Sequence, residues 1–188
     1  MQPIAAATRS TPPLADLFAF STPLGWVAIA TQPDCLLRLA FGHRSAAAAK
    51  RAIAEPLGAA AADYTPSHAA EVDPQAIAGA LERFASGEPT DLSGIPIDVA
   101  PLTPFARQVT AACRAIGWGE TRSYGELANA CGRPAAARAV GSVMAKNRAP
   151  LVVPCHRVLG AGGKLGGYSA PEGLAMKRRL LATERHAP

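Results

Sequence analysis

The sequence predicts an α+β protein: a small N-terminal domain with an antiparallel sheet and flanking helices, followed by a mainly helical C-terminal domain containing a helix-turn-helix and a Pro-Cys-His-Arg turn. Three observations carry this reading. Short apolar runs near the N-terminus are separated by proline-bearing turns, the pattern of a strand meander. Apolar residues recur at helical spacing through most of the stretch between Phe105 and Lys146. A chain of 188 residues, 49% of them apolar, can also bury roughly 70% of its unfolded surface and needs no disulfides to fold.

Residues 1–13 are rich in Ala, Thr and Pro and read as disordered. Residues 14–100 form the supporting N-terminal α/β domain, and residues 101–188 the C-terminal one. In the first, residues 14–20, 25–30 and 36–41 are the strands, divided by Thr22-Pro23 and Gln32-Pro33-Asp34. Helices follow at about 45–55 and at 74–86, where Ile77, Leu81 and Phe84 or Ala85 share a face. Residues 95–99 return as a strand, and Pro101-Leu102-Thr103-Pro104 reads as the boundary linker.

The C-terminal part opens with a helix over 105–116, closed by Gly117 and Gly119. Ser123 caps a short helix over 124–130, and Gly132 supplies the left-handed residue that ends it. Pro134 suits the first turn of a helix over 134–146. Helix, three-residue turn with glycine, helix is the shape of a helix-turn-helix. In the second helix Val140, Val143 and Met144 make an apolar stripe, while Ala135, Ala137, Gly141, Ser142 and Ala145 leave the remainder almost without bulk. Small residues let a helix approach a nucleic-acid groove, and one long cation, Arg138, could then reach bases or phosphate. An alanine-rich helix packed against another helix gives the same pattern.

Charge is unevenly placed. From Thr103 to Pro188 there are thirteen Lys and Arg against four Asp and Glu, a surplus of nine; with +5 for the whole chain, the preceding residues are net −4. A basic C-terminal half facing a polyanion fits this, as does a solvated basic surface. The four cysteines, Cys35, Cys113, Cys131 and Cys155, show no CxxC spacing, and the chain's start lacks signal-peptide character, so a cytoplasmic protein is expected, or a nuclear one if the source is eukaryotic. His43 and His68 could join Cys35 on zinc, but no compact ligand pair exists, and no metal is expected. No segment reaches the roughly 18 apolar residues of a membrane span.

Val153-Pro154-Cys155-His156-Arg157 is the most informative segment. The run Leu151-Val152-Val153 is short enough for a buried strand that Pro154 terminates, which leaves Cys155 where the chain exits the sheet. Thiolate is the reactive form, and a free cysteine near pKa about 8.5 is only slightly ionised at neutral pH unless a base assists it. His156 is the candidate base. The dipeptide alone fits a half-buried structural cysteine better than a catalytic one, but the loop after it carries Gly160, Gly162, Gly163, Gly166 and Gly167, whose backbone can approach a ligand closely.

Residues 119–128, Ala136-Ala137-Arg138-Ala139-Val140-Gly141, Asn147, Val153 to Val158, Gly166-Gly167-Tyr168 and 177–184 together resemble the methylated-DNA–protein-cysteine methyltransferases, the O6-alkylguanine-DNA alkyltransferases. The likeness is close over 103–184 and loose over 14–100. It implies that Cys155 is the alkyl acceptor, that His156 deprotonates it through a bound water, and that Glu184 orients His156. It implies further that Asn147 ties the recognition helix to the active-site turn, and that Tyr124 presses on the phosphate 3′ of the lesion and helps place a hydrogen-bond donor near the departing guanine. Arg138 would fill the gap left by a flipped base, with Ala137 and Gly141 against the minor groove, and Tyr168, Ser169 and the backbone around Val158 would line the base pocket.

The implied activity is single-turnover transfer of the alkyl group from O6-methylguanine, and from O4-methylthymine, in double-stranded DNA, with no cofactor, no membrane and a monomeric chain. This sequence departs from the family pattern twice. Arg148 stands where many members have proline, and the loop 169–173 is about two residues longer than the common Ser-Gly-Gly. A non-catalytic alkylated-base sensor of the same architecture is the main alternative, against which the cysteine at 155 argues. A helix-turn-helix regulator would carry longer polar side chains on its reading helix. A cysteine hydrolase would need an oxyanion arrangement that is not identifiable.

Overall fold

The computed structural model describes residues 16–57 and 72–185. Strands β1 (Asp16–Thr22), β2 (Gly25–Gln32) and β3 (Cys35–His43) form the expected antiparallel meander, in the order β1-β2-β3. The disorder expected of residues 1–13, the start of the first strand at Leu14 and Ala15, and His68 lie outside the described residues. Gly25 makes the turn into β2 at φ 98°, where an added Cβ would meet the His43 carbonyl oxygen at 3.0 Å.

Side chains alternate across the sheet as a pleated strand requires, with Val27 and Ile29 in the main core and Ala28 and Ala30 on the opposite face. A register shift between the Ala30–Arg38 and Thr31–Leu36 pairs bulges β3, so that Leu36 and, beyond it, Leu39 and Phe41 all reach the main core. Helix α1 (Ala46–Leu57) covers the other face, setting Ala49 and Ile53 against Ala28, Ala30 and Leu37. Helix α2 (Pro74–Ala85) starts where the Asp73 carboxylate accepts from the Gln75 amide at 2.8 Å, and it buries Ile77, Leu81, Phe84 and Ala85 together.

The strand expected over 95–99 is reduced to a single bridge between Leu36 and Ile97. Arginines of the next helix, α3 (Pro104–Arg114), satisfy the neighbouring carbonyls instead. Arg107 Nε donates to Val99 at 3.0 Å, and Arg114 Nη2 donates to Ile95 at 2.7 Å and to Ser93. These bonds occupy the acceptors that a strand partner would need.

Beyond α3 come β4 (Arg122–Ser123), α4 (Tyr124–Ala130), a 3₁₀ turn at Pro134–Ala136 and α5 (Ala137–Ala145). Ser123 Oγ accepts from the Glu126 amide at 3.1 Å while Glu126 Oε2 accepts from the Ser123 amide at 2.6 Å, a reciprocal cap that fixes the start of α4. Gly132 follows at φ 67°. The helix expected over 134–146 begins as 3₁₀ because neither Arg133 nor Ala136 offers a capping side chain, and the tighter turn closes on Ala136 N donating to Arg133 O at 2.9 Å.

The apolar run 151–153 is a turn, not the expected strand. Asn147 Oδ1 accepts from the Ala149 amide at 3.0 Å, Val153 N donates to Ala149 O at 2.8 Å, and Leu151 is driven to φ 74°. Local side-chain bonding has overridden the apolar pattern. A 3₁₀ turn at Cys155–Arg157 follows, then β5 (Val158–Leu159), which pairs in parallel with β4, and α6 (Leu174–Arg185). One face of α6 buries Met176, Lys177, Leu180, Leu181 and Glu184. A single buried cluster runs from Phe20 and Leu36 through Phe84 and Val109 to Cys155 and Met176. Among the described residues no helix is long and apolar enough to cross a membrane.

Candidate active site

Pro154 breaks the chain into the 3₁₀ turn that presents Cys155, whose own amide donates to Val153 O at 2.7 Å. The Cys155 side chain closes a cavity of about 410 Å³ walled by Tyr124, Gly141, Met144, Ala145 and residues 166–169. Asn147, two residues past α5, is held on three sides. Its Nδ2 donates to Val153 O at 2.8 Å and to Cys155 Sγ at 3.2 Å, while its Oδ1 takes the Ala149 amide. One amide therefore fixes the turn and aims a donor at the sulfur. Burial pushes the thiol's pKa up, opposed by the Asn147 hydrogen bond and by the nearby Lys177 charge. The resting sulfur is a neutral thiol, and reaction requires a base.

His156 is fully buried, with Nε2 2.8 Å from Glu184 Oε1. The carboxylate can only accept, so Nε2 carries the proton and Nδ1 bears the lone pair. Nδ1 is buried and has no partner among the described residues. Burial lowers the imidazole's pKa, against the pull of Glu184, and keeps the ring neutral. Burial alone would raise the carboxylate pKa of Glu184, but hydrogen bonds from His156 and Arg157 outweigh it and hold the group ionised.

Arg157 supplies the balancing charge. Its Nη2 donates to Glu184 Oε1 at 2.8 Å, its Nε lies 3.0 Å from both carboxylate oxygens, and its Nη1 donates to Ile116 O at 2.6 Å. The Gly119 amide completes the carboxylate's shell at 3.2 Å from Oε2. A buried ion pair persists only when its remaining lone pairs and protons are met in this way. Phe84 of α2 packs edge-on against His156, ring centroids 6.1 Å apart, and seals the imidazole from the side of the N-terminal part.

Lys177, also fully buried, donates from Nζ to Val158 O at 2.7 Å and lies 6.0 Å from the centre of the Tyr168 ring. The Tyr168 hydroxyl is buried close enough to Cys155 for each to influence the other's ionisation, and among the described residues it has no partner at strict hydrogen-bonding geometry. Tyr124 enters from the first turn of α4 and presses on Gly166, where an added Cβ would lie 2.9 Å from the tyrosine hydroxyl.

Of the residues expected from the sequence, the structure pairs Asn147 with Cys155 and His156 with Glu184, two bonded pairs joined through the peptide link between residues 155 and 156, and places Tyr124, Gly141, Tyr168 and Ser169 on the cavity wall. Val158 does not line the cavity. Its side chain is in the core and its carbonyl is taken by Lys177. Ala137 and the exposed Arg138 open α5, outside the cavity wall. Arg157, Lys177 and Phe84 were given no role by sequence reasoning. For Lys177 a signal existed, since it lies seven residues before Glu184 and so on the same face of one helix.

The family described as 6-O-methylguanine DNA methyltransferase, DNA binding domain, matches residues 104–186. A methylated-DNA–protein-cysteine methyltransferase of Mycolicibacterium paratuberculosis is 47% identical over 130 residues, which span 66% of this chain and 76% of that protein. The crystal structure of Mycobacterium tuberculosis O6-methylguanine methyltransferase superposes with a TM-score of 0.72 at 32% identity, covering 93% of this chain and 95% of that one. The structure of the same organism's OGT in complex with DNA superposes with a TM-score of 0.66, covering 90% and 92%.

Proposed function

This chain belongs to the methylated-DNA–protein-cysteine methyltransferases and repairs DNA by alkyl transfer, and from that premise we propose that Cys155 is the acceptor and O6-alkylguanine in double-stranded DNA the substrate. His156 Nδ1 takes the thiol proton through a bridging water, and Glu184 stabilises the resulting imidazolium. The thiolate, held by the Asn147 donor and the Lys177 charge, attacks the alkyl carbon in line. The carbon–O6 bond breaks as the sulfur–carbon bond forms, and guanine leaves with the electron pair, its negative charge supported by the Tyr124 hydroxyl. The product is a thioether, and among the described residues no second thiol lines the Cys155 cavity to cleave it, so each molecule turns over once. O4-methylthymine presents the same kind of alkyl ether and is the secondary substrate.

A base inside a duplex cannot reach a buried sulfur and must leave the stack. In this reading α4, the turn at Gly132 and α5 act as a helix-turn-helix that lies in the minor groove. Ala137 and Gly141 allow close approach, Arg138 fills the vacated stack, and Tyr168 and Ser169 hold the extruded base. Residues 101–188 form the working part and 14–100 its support, in a monomeric, cytoplasmic protein.

The observation that carries the proposal is the open Nδ1 of a buried histidine, its other nitrogen committed to Glu184, one residue from a thiol at the wall of a cavity large enough for a small molecule. Intact-mass measurement after mixing with O6-methylguanine duplex tests it. The protein should gain about 14 Da, a hydrogen exchanged for a methyl, on the peptide containing Cys155. Mass gain at Cys35, Cys113 or Cys131, or repeated turnover, would overturn it.

A further inference from the structure

The loop that walls the Cys155 cavity has a second face. Behind it lies another cavity, of about 260 Å³, bounded by β3, by Arg148 and Pro150, and by residues 168–171. Tyr168 and Ser169 therefore line both cavities. Arg38, His43 and Arg148 all line the second one, and among the described residues no Asp or Glu does. The Nε of Arg38 is buried without a hydrogen-bond partner among the described residues. Neither arginine forms an ion pair among those residues. Burial, and then repulsion from Arg148, lowers the pKa of Arg38.

Two guanidinium groups that repel one another at a concave surface where no described residue brings a carboxylate are unfavourable without a counter-charge. The complementary ligand is an anion with several acceptor oxygens, which planar guanidinium forks bind in pairs. We propose that this cavity is a binding site for a phosphate-class oxyanion, held by Arg38 and Arg148 with His43 as a third donor. Both departures from the family pattern, Arg148 and the lengthened loop carrying Ala170 and Pro171, meet here, so the site is a property of this chain's own residues. An oxyanion in it ties β3, the segment after Asn147 and the Tyr168 loop at one point. The site stands independently of the role of Cys155.

The oxyanion is either free in solution or a phosphodiester of bound DNA, and two measurements separate these sources. In the first, thermal unfolding of the full chain is followed while inorganic phosphate replaces chloride at constant ionic strength. The wild type should show a saturable rise in Tm, and Arg38→Gln and Arg148→Gln should each weaken the apparent phosphate affinity about tenfold or more, on the scale of losing a charge-assisted contact. Broadening of the phosphate ³¹P resonance by each protein gives the same comparison without unfolding. In the second, affinity for undamaged duplex is measured against salt in phosphate-free buffer. A phosphodiester in the site predicts that the logarithmic salt slope falls by about one in either variant, whereas a free oxyanion predicts an unchanged slope alongside the phosphate effect. Equal phosphate responses in all three proteins together with equal salt slopes would overturn the proposal.

Discussion

Replacing Glu184 by glutamine tests the relay with almost no change of shape. Both carboxylate oxygens face donors: Oε1 meets His156 Nε2 and Arg157 Nη2 at 2.8 Å, and Oε2 meets Arg157 Nε at 3.0 Å and the Gly119 amide at 3.2 Å. An amide NH₂ placed in either position therefore meets a donor. If it faces His156, the ring must present Nε2 as an acceptor, which moves the proton to Nδ1 and removes the base. If it faces Arg157 and Gly119, the guanidinium loses its counter-charge in a buried site.

Removing one partner of a buried pair costs about 3–5 kcal/mol. In a chain of this size that lowers Tm by roughly 10 °C or more, which leaves the variant folded at 25 °C if total stability is in the usual range of about 5–15 kcal/mol. Loss of a correctly held base should slow alkyl transfer by roughly 100-fold. Single-turnover transfer from a labelled O6-methylguanine duplex, run at 25 °C on protein shown to be folded by circular dichroism, reads the second effect separately from the first. A companion variant, Arg157→Met with Glu184→Leu, removes the charge pair and should regain part of the lost stability while transfer stays slow. Transfer recovering in step with stability would refute the relay and leave Glu184 a purely structural residue.

Arg138→Ala should slow repair of duplex at least tenfold while leaving reaction with a free alkylguanine base within about threefold, because a free base has no stack to leave; equal losses on both would move Arg138 into the chemistry or the fold. Gly166→Ala places a Cβ 2.9 Å from the Tyr124 hydroxyl; transfer should fall about tenfold, a barrier change near 1.4 kcal/mol, and Tyr124→Phe in the same chain should relieve the closest contact and show up as partial recovery of cavity access to a fluorescent benzylguanine probe. The folded-state pKa values of His156 and Glu184 are both depressed, so both contribute stability that is complete above their unfolded values and lost as pH falls through the folded ones. Urea unfolding at a series of pH values should accordingly show stability declining below pH 6.5, the ordinary histidine value, and His156→Phe should flatten the upper part of that decline.

The sheet was legible because strands leave a period that turns interrupt visibly: Thr22-Pro23 and Gln32-Pro33 bracket β2 within two residues of its ends. The cap at Ser123 was equally readable, since capping depends on a residue type at a fixed offset. Leu151-Val152-Val153 misled for the same reason that makes apolar runs useful. Burial demands apolar side chains whatever the backbone does, and here Asn147, four residues upstream, decided the backbone. At the site, Cys155 and His156 are sequence neighbours, and Glu184 was reached through the family resemblance. The bond from Arg157 to Glu184 spans 27 positions and the packing of Phe84 on His156 spans 72, and neither leaves any spacing that a linear reading can detect.

That contact of Phe84 with His156 bears on how the chain can be divided. The imidazole owes its dryness, and hence its neutral charge and single tautomer, partly to a ring carried by α2, while Trp118 braces the same ring with centroids 5.1 Å apart. A fragment beginning at residue 101 would keep every hydrogen-bonding atom of the relay and still expose one side of it to solvent. Bulk water would then compete for the carboxylate, and the imidazole, less buried, would take up a proton more readily and serve less well as a base. Shortened versions built for labelling or delivery would therefore need a substitute for that one aromatic wall more than for any strand of the sheet.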